Sequence, residues 1–451
     1  MHLIKDCPII ITKAAFKAEE FIRKKIELFT KDCDPFYAVD LEDICNKHVR
    51  WLTAMPRVTP HYAVKCNDDI LVLKLLGFLG AGFDCASKTE IKKIIDLGIS
   101  SDRIIYANPC KQSSYVRYAK QVGVETMTFD NEQELMKIKE NYSDAKVVLR
   151  IVTDDSSAVC QFSMKFGADL ETARFLLEKA KEIELDVIGV SFHCGSGQMT
   201  SQAFVDAIKN ARSIMSYGDK LGFDMKLLDI GGGFPGNTGT DEYFTEIAVA
   251  INRALDEHFP VQSGVRIIAE PGRYYVASAY TLATNIIATR EMTDPATNEK
   301  KLMYYVNDGV YGSFNCVLYD HYIPEPTPLK KDISGKQYTC SIWGPTCDGL
   351  DCITSSTCLP KLTTDDWIIW KNMGAYTISG AVQFNGIPFG KPLYFMAKPF
   401  WDNVKQAFEQ RPVQYTRALK YRMNSECGNE VEDEMLPWED LEDSILPSIL
   451  I

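Results

Sequence analysis

Between Phe36 and Arg273 the hydrophobic period of this chain switches back and forth about eight times, and few architectures accept such a pattern. Short apolar runs read as strands: "FYAVD", "HYAVKC", "GFDCA", "RIIYAN", "TMTFD", "KVVLRI", "VIGVSFHC", "KLLDIG" and "RIIAEP". Helical spacing separates them at Glu90–Leu97, Ser114–Gln121, Glu132–Glu140, Leu170–Lys181 and Ser201–Leu221. In the last of these, Phe204, Ala207, Ile208, Ala211 and Ile214 share one face. A doubly wound sheet is one way to satisfy the alternation. The number and length of the repeats favour the other, an α/β fold of TIM-like (β/α)8 barrel type over residues 36–273.

Beyond Arg273 the period changes. "LMYYVNDG", "YTCSIWGP", "DDWIIWKNMG" and "LYFMAK" read as strands with turn residues between them. Residues 274–410 are therefore expected to form a second, mostly β domain with residues 1–35, where "PIIIT" adds a strand. Residues 411–451 are expected to be an acidic, mobile C-terminal tail; the stretch 425–443 has nine acidic residues and no Lys or Arg. The net charge of −12 disfavours a nucleic-acid partner. None of the 14 cysteines forms a CxxC pair or stands at zinc spacing from a histidine, so no metal site is expected. No apolar run approaches the ~20 residues of a membrane span, and reduced thiols point to a cytoplasmic protein.

In a barrel, chemistry gathers where the strands end. Here those positions hold Lys65, Asp84, Arg150, His193, then "DIGGGFPG" and "AEPGRYY". Each alone has a bland explanation. A lysine snorkels, a strand-end histidine is more often structural, and a glycine run is more often a turn. Together they suit pyridoxal phosphate. Lys65 offers an amine for the aldehyde, and Gly231, Gly232, Gly233, Gly272 and Arg273 offer donors for the phosphate. Glu270 can hold the proton of the ring nitrogen, and His193 can stack on the ring. No GxGxxG follows the first strand, which argues against a dinucleotide domain.

Longer blocks sharpen this picture: "RVTPHYAVKCND", "GFDCASKTEI", "RIIYANPCKQ", "SFHCGSG", "LLDIGGGFPG", "GVRIIAEPGRYYVASA", "MYYVNDGVYGSFNCVLYDH", "SIWGPTCDGLD" and "NMGAYT". From about Phe36 to Tyr394 the sequence resembles the eukaryotic ornithine decarboxylases, fold-type III pyridoxal-phosphate enzymes with an alanine-racemase-like barrel. The resemblance implies the cofactor pyridoxal 5'-phosphate and the conversion of ornithine to putrescine in polyamine biosynthesis. It makes Lys65 the lysine that takes the aldehyde and sets Asp84 and Arg150 as a charged pair near the cofactor. His193 becomes the stacking histidine, and Glu270 the ring-nitrogen partner. Ser196, Gly233, Gly272, Arg273 and Tyr376 become phosphate contacts. Tyr319, Asp320 and Asp348 meet the substrate, the two carboxylates at its distal ammonium, and Cys347 returns a proton to the α-carbon. It further implies a homodimer in which Cys347 and Asp348 enter the neighbour's site, with Lys165 and Asp351 bridging the subunits.

Departures from the family pattern concern the substrate. Tyr322, Ile323 and Pro324 follow "YDH", Cys352 follows "GLD", and Cys194 replaces an aliphatic residue. Two alternatives to an ornithine decarboxylase follow. One is the same chemistry on lysine or on a neutral amino acid such as leucine, and the other is a catalytically dead decoy like the antizyme inhibitors. The retained Lys65, Asp84, Arg150, Arg273, Cys347 and Asp348 argue against the decoy. Antizyme itself is a candidate partner through the basic residues Lys111, Arg117, Lys120 and Lys137.

Overall fold

The computed structural model describes residues 9–12, 17–28, 33–198, 200–293, 300–330, 335–402 and 434–436. The chain divides into two compact units, one of Arg50–Tyr275 and one of Met1–Val49 with Val276–Ile451.

The first unit is a closed barrel of eight parallel strands: Val58–Ala63, Gly82–Cys85, Ile104–Tyr106, Thr126–Phe129, Lys146–Arg150, Asp186–Ser191, Leu227–Asp229 and Arg266–Ala269. Neighbours in sequence are neighbours in the barrel, and Arg266–Ala269 closes it against Val58–Ala63. Ile105, Val148, Leu227 and Ile268, from four strands, pack together as a buried cluster. The helices start where short polar side chains can take up free backbone N–H groups. Ser87 accepts from Glu90 N at 3.2 Å while Glu90 accepts from Ala86 N at 2.6 Å, a reciprocal cap on Lys88–Asp96. Asn131 and Asp169 cap Glu132–Asn141 and Leu170–Glu182 in the simpler way.

One expectation about the barrel is corrected. "FYAVD" is no barrel strand: Phe36–Asp40 pairs in parallel with Lys391–Ala397 and antiparallel with Tyr280–Thr293, inside the second unit. Its burial is near complete on both faces, so its apolar run looks like a barrel strand, and only pairing distinguishes the two. The boundary expected at residue 36 therefore lies at Arg50 in the structure, and that at 273 lies at Tyr275.

The second unit is built on a ten-stranded sheet. Ile9–Thr12 joins it in parallel beside Lys391–Ala397, and Glu434–Leu436 pairs with Ile9–Ile11. Apart from those three residues, the expected mobile tail 411–451 lies outside the described residues. Among the described residues no helix is long and apolar enough to cross a membrane.

His61 shows how closely the barrel is packed. Its ring lies over Gly82, where a Cβ would come within 2.7 Å of Cγ, and Nδ1 stands 3.4 Å from the Thr59 carbonyl. Burial, aided by Arg266 and Arg103, pulls its pKa down to about 4. The unfolded chain therefore takes up this proton first, so stability is lost as pH falls from about 6.5 to about 4. The loss is about 3 kcal/mol at ~1.36 kcal/mol per unit. His61→Phe is expected to remove that component. Denaturant unfolding at pH 7 and pH 4 checks it: an acid limb as steep in the variant as in the wild type would refute the assignment.

Candidate active site

The carboxyl ends of the barrel strands bring nearly all the expected barrel residues to one mouth. Lys65 sits in a 3-10 turn directly after Val58–Ala63, and its ammonium is ion-paired and hydrogen-bonded to Asp84 on the next strand. Asp84 is fully buried, and its other oxygen, Oδ1, has no hydrogen-bond partner among the described residues. A buried carboxylate with a free oxygen is costly unless further positive charge faces it. Arg150, at the end of Lys146–Arg150, stands over the Phe166 ring at 5.1 Å, and its charge is felt by both Asp229 and His193.

His193 follows Asp186–Ser191. Its Nδ1 accepts from Gly195 N at 3.0 Å, so the proton of the neutral ring belongs on Nε2. Burial first, then Arg150 and Lys65, hold its pKa well below the usual range. Phe162 packs edge-on against the ring, with centroids 5.0 Å apart. Phe162 is itself anchored by Asp155, which accepts its backbone N–H at 2.5 Å.

The glycine loops meet here as well. Gly231 and Gly233 have φ of +65° and +104°. A Cβ at Gly231 would overlap the Phe192 carbonyl, and one at Gly233 would lie 2.5 Å from the Gly195 carbonyl. Both positions thus require glycine for conformation and for space. At Gly232 a Cβ would stand 2.8 Å from His193 Nε2, and at Gly272 2.8 Å from the Cys66 Cβ. These bare backbones, with Arg273 donating to Ser196 Oγ at 3.0 Å, form a cradle suited to an anionic group. Glu270 N donates to the Gly231 carbonyl at 2.6 Å, which ties the last two strand-end loops together. The carboxyl of Glu270 is buried, and its pKa is raised well above the usual range by burial, then by Asp229 and Asp84.

The remaining expected residues belong to the second unit. Asp348 accepts from the Tyr311 hydroxyl and from Leu350 N at 2.9 Å, and these bonds hold its pKa below the usual carboxylate range. The same bond pushes the Tyr311 phenol up to about 12. Cys347 is exposed, with Sγ 3.5 Å from Asn385 Oδ1, and the Phe384 ring stacks on Tyr311 at 4.4 Å. Asp320 is buried and Tyr319 exposed. Tyr376 adopts a left-handed φ of +54°, uncommon for a bulky side chain. Tyr322 donates its hydroxyl to the Lys371 carbonyl at 3.3 Å. Asp351 is buried, accepting from Val310 N at 2.8 Å and, within its own loop, from Thr346 N at 2.9 Å and Thr346 Oγ1 at 2.6 Å. Lys165 lies in the other unit and is exposed.

Sequence reading gave no role to Tyr311, Phe384, Asn385 or Asp229. Tyr311 stands inside the block "MYYVNDGVYGSFNCVLYDH", but nothing local ties it to an aspartate 37 positions away. Lys111 is a correction in the other direction. It is no surface cation: buried, it forms an ion pair with Glu134 at 2.9 Å and donates to the Thr128 carbonyl at 2.5 Å.

Residues 41–277 match the family model of the pyridoxal-dependent decarboxylases, over its pyridoxal binding domain. The chain belongs to the pyridoxal-dependent decarboxylases. It is 53% identical to ornithine decarboxylase of Rattus norvegicus over 412 residues, covering 89% of each chain. It is also 51% identical to antizyme inhibitor 2 of Xenopus laevis over 442 residues, covering 96% of each. Among solved structures, the Paramecium bursaria Chlorella virus arginine decarboxylase bound to agmatine superposes with a TM-score of 0.79. That pair shares 35% identity over 84% of this chain and all of the viral one. For a pyridoxal-dependent decarboxylase the barrel mouth has suitable chemistry: a lysine amine, a glycine cradle with an arginine, a neutral imidazole and a buried acid.

Proposed function

We propose that this chain is a cytoplasmic pyridoxal 5'-phosphate enzyme that decarboxylates ornithine to putrescine, taking up one proton and releasing carbon dioxide. The observation that carries the reading is Lys65 bonded to Asp84 beside the Gly231–Gly233 cradle, in a chain 53% identical to an ornithine decarboxylase. The described cysteines are all free, in keeping with a reducing compartment.

When bound, pyridoxal phosphate supplies an aldehyde and a protonated ring that accepts the electrons left behind by carbon dioxide. Lys65 holds the aldehyde, and Asp84 keeps that amine in place. Arg273, Ser196, the N–H groups of Gly231, Gly232, Gly233 and Gly272, and Tyr376 hold the phosphate. His193, kept neutral by burial and by Arg150, would stack on the ring. Glu270 would hold the proton of the ring nitrogen. Cys347 would supply the proton that the α-carbon takes up. Asp320 and Asp348, with Tyr319 beside them, take the distal ammonium, and Tyr311 aims Asp348.

The same reading includes a homodimer in which Cys347 and Asp348 serve the partner's cofactor. Tyr319, Ile323, Leu350, Val382 and Phe384 are exposed apolar residues on or beside the loops that carry these two, a surface that favours burial. Mixing Lys65→Ala with Cys347→Ala is then expected to restore about a quarter of wild-type activity, since half the dimers would each have one intact site. Absence of recovery, with subunit exchange shown separately, would mean that each site is built within one chain. Antizyme binding remains part of the proposal, on the strength of the antizyme inhibitor relative, with Arg117, Lys120 and Lys137 rather than the buried Lys111 as the candidate contacts.

A second reading, the same chemistry on a neutral amino acid such as leucine, draws support from Tyr322 and the exposed Ile323 just after Asp320. Release of labelled carbon dioxide from ornithine, lysine, arginine and leucine decides between the two. Faster release from leucine than from ornithine would overturn the first reading, and no release from any would favour the decoy.

A further inference from the structure

Between the strand Lys146–Arg150 and the helix Leu170–Glu182 the chain forms a strap that touches three of the expected site residues. The Phe166 ring lies against the Arg150 guanidinium, 5.1 Å away. Ala158–Cys160 pairs antiparallel with Ser196–Gln198, whose Ser196 accepts from Arg273. At His193 the strap makes two contacts. Thr153 Oγ1 donates to the His193 carbonyl at 2.9 Å, and the Phe162 ring meets the imidazole with the two planes 81° apart.

Apolar burial does not hold this strap in place, since Val159 and Met164 are exposed. Its root is closed by backbone bonds: Ala168 N donates to the Arg150 carbonyl and Val152 N to the Ala168 carbonyl, each at 2.9 Å. Farther out the fixed point is Asp155, which is buried. Its Oδ2 accepts from Phe162 N at 2.5 Å and from Ser163 N at 2.9 Å, and its Oδ1 accepts from Ser163 Oγ at 2.5 Å. Bonds to an ionised acceptor are the stronger kind, and three converge here. None of them goes to an expected site residue, so the influence of Asp155 on the site runs through Phe162. The imidazole has use for such a support. Gly195 N ties down its Nδ1 at 3.0 Å, and Gly232 presents no Cβ on the Nε2 side. A ring held by one nitrogen can still rock about that bond, and a perpendicular aromatic neighbour opposes the rocking.

We propose that Asp155 is a positioning residue of the active site: by holding the Phe162 backbone it sets the Phe162 ring against His193, and thereby the tilt at which the imidazole meets the cofactor's ring. The last step rests on the reading of His193 given under Proposed function.

The test begins with cofactor-free protein. Asp155→Ala is expected to speed hydrogen exchange at the Phe162 and Ser163 amides about 100-fold, because both lose their acceptor. Asp155→Asn is expected to restore most of the protection, since its Oδ1 can take both N–H groups while its amide donates to the Ser163 hydroxyl. Unchanged exchange in Asp155→Ala would show that the carboxylate does not fix the strap. Equilibrium dialysis then measures affinity for pyridoxal phosphate. Asp155→Ala and Phe162→Ala are each expected to weaken binding about tenfold, and the double variant no further, since both lesions lie on one route. A loss of about 100-fold in the double variant, the product of independent effects, overturns the route through Phe162. His193→Ala separates the underlying reading. Wild-type affinity in that variant would remove the role of His193 toward the cofactor, whereas a loss in His193→Ala with none in Asp155→Ala overturns the positioning role alone. Should Asp155→Ala fail to fold, Ser163→Ala removes only the hydroxyl bond. It is expected to weaken binding about threefold by itself and not at all beside Phe162→Ala. Equal losses on the two backgrounds, or none on either, overturn the proposal.

Discussion

Replacing Lys65 by alanine is expected to lower carbon dioxide release at least about 1,000-fold, roughly 4 kcal/mol in barrier, and to strip the protein of tightly held pyridoxal phosphate. The amine is the only primary amine among the expected residues of the barrel mouth, and the geometry presents it ready to use: it leaves a strand end within a 3-10 turn and is held by the buried Asp84. Removing it also leaves Asp84 buried without its ion pair, so lost folding must be separated from lost chemistry. Lys65→Arg does that. It keeps a cation for Asp84, but a guanidinium does not serve as the amine. Both variants are expected to lose cofactor on gel filtration, while Lys65→Arg keeps a melting temperature close to wild type. Retention of cofactor and of a tenth or more of the activity by either one would place the aldehyde on another residue.

Asp348→Ala is expected to lower kcat/KM for ornithine by about 100-fold or more and to leave a neutral amino acid nearly unaffected. A site built to pair with a charged group discriminates far more strongly than one that only fits an apolar chain. The carboxylate is prepared for this role. Tyr311 and Leu350 N hold its pKa low, so it is ionised wherever a diamino acid still has its distal ammonium. Tyr311→Phe is expected to show a smaller loss of the same kind, about tenfold, because the charge remains but its aim is lost. Ornithine turnover at the wild-type level by Asp348→Ala would show that the carboxylate reads no ammonium. In that case the pocket belongs to Tyr322 and Ile323, and a neutral substrate becomes the better reading.

Much of this was legible from the chain alone. Eight of the nine apolar runs from "FYAVD" to "RIIAEP" are barrel strands, because a strand buried on both faces and a helix buried on one leave different periods in the sequence. Lys65, Arg150, His193, Glu270 and the glycine run could be named because each sits where a strand ends, and strand ends are visible as breaks in those periods. Even the short blocks that carried the family resemblance are contiguous stretches of this kind.

What the sequence could not decide concerns partners distant along the chain. The ninth run, "FYAVD", has the period of a barrel strand and the hydrogen bonds of the sheet in the second unit, and period says nothing about which strand supplies the bonds. Lys111 looks like a surface cation until Glu134 and the Thr128 carbonyl are brought against it. The resemblance assigns Asp348 to the substrate, but only the fold brings the Tyr311 hydroxyl to it. Asp229 and Glu270 lie 41 positions apart, and neither announces the other. Only the parallel pairing of their strands brings Asp229 near Glu270, where its charge helps to raise the Glu270 pKa. Apolar periodicity is a local property, repeated every two or every three to four residues, and the chain states it outright. The protonation, aim and burial of a polar group depend on what lies within a few ångströms of it, and that is set only when the strands close on one another.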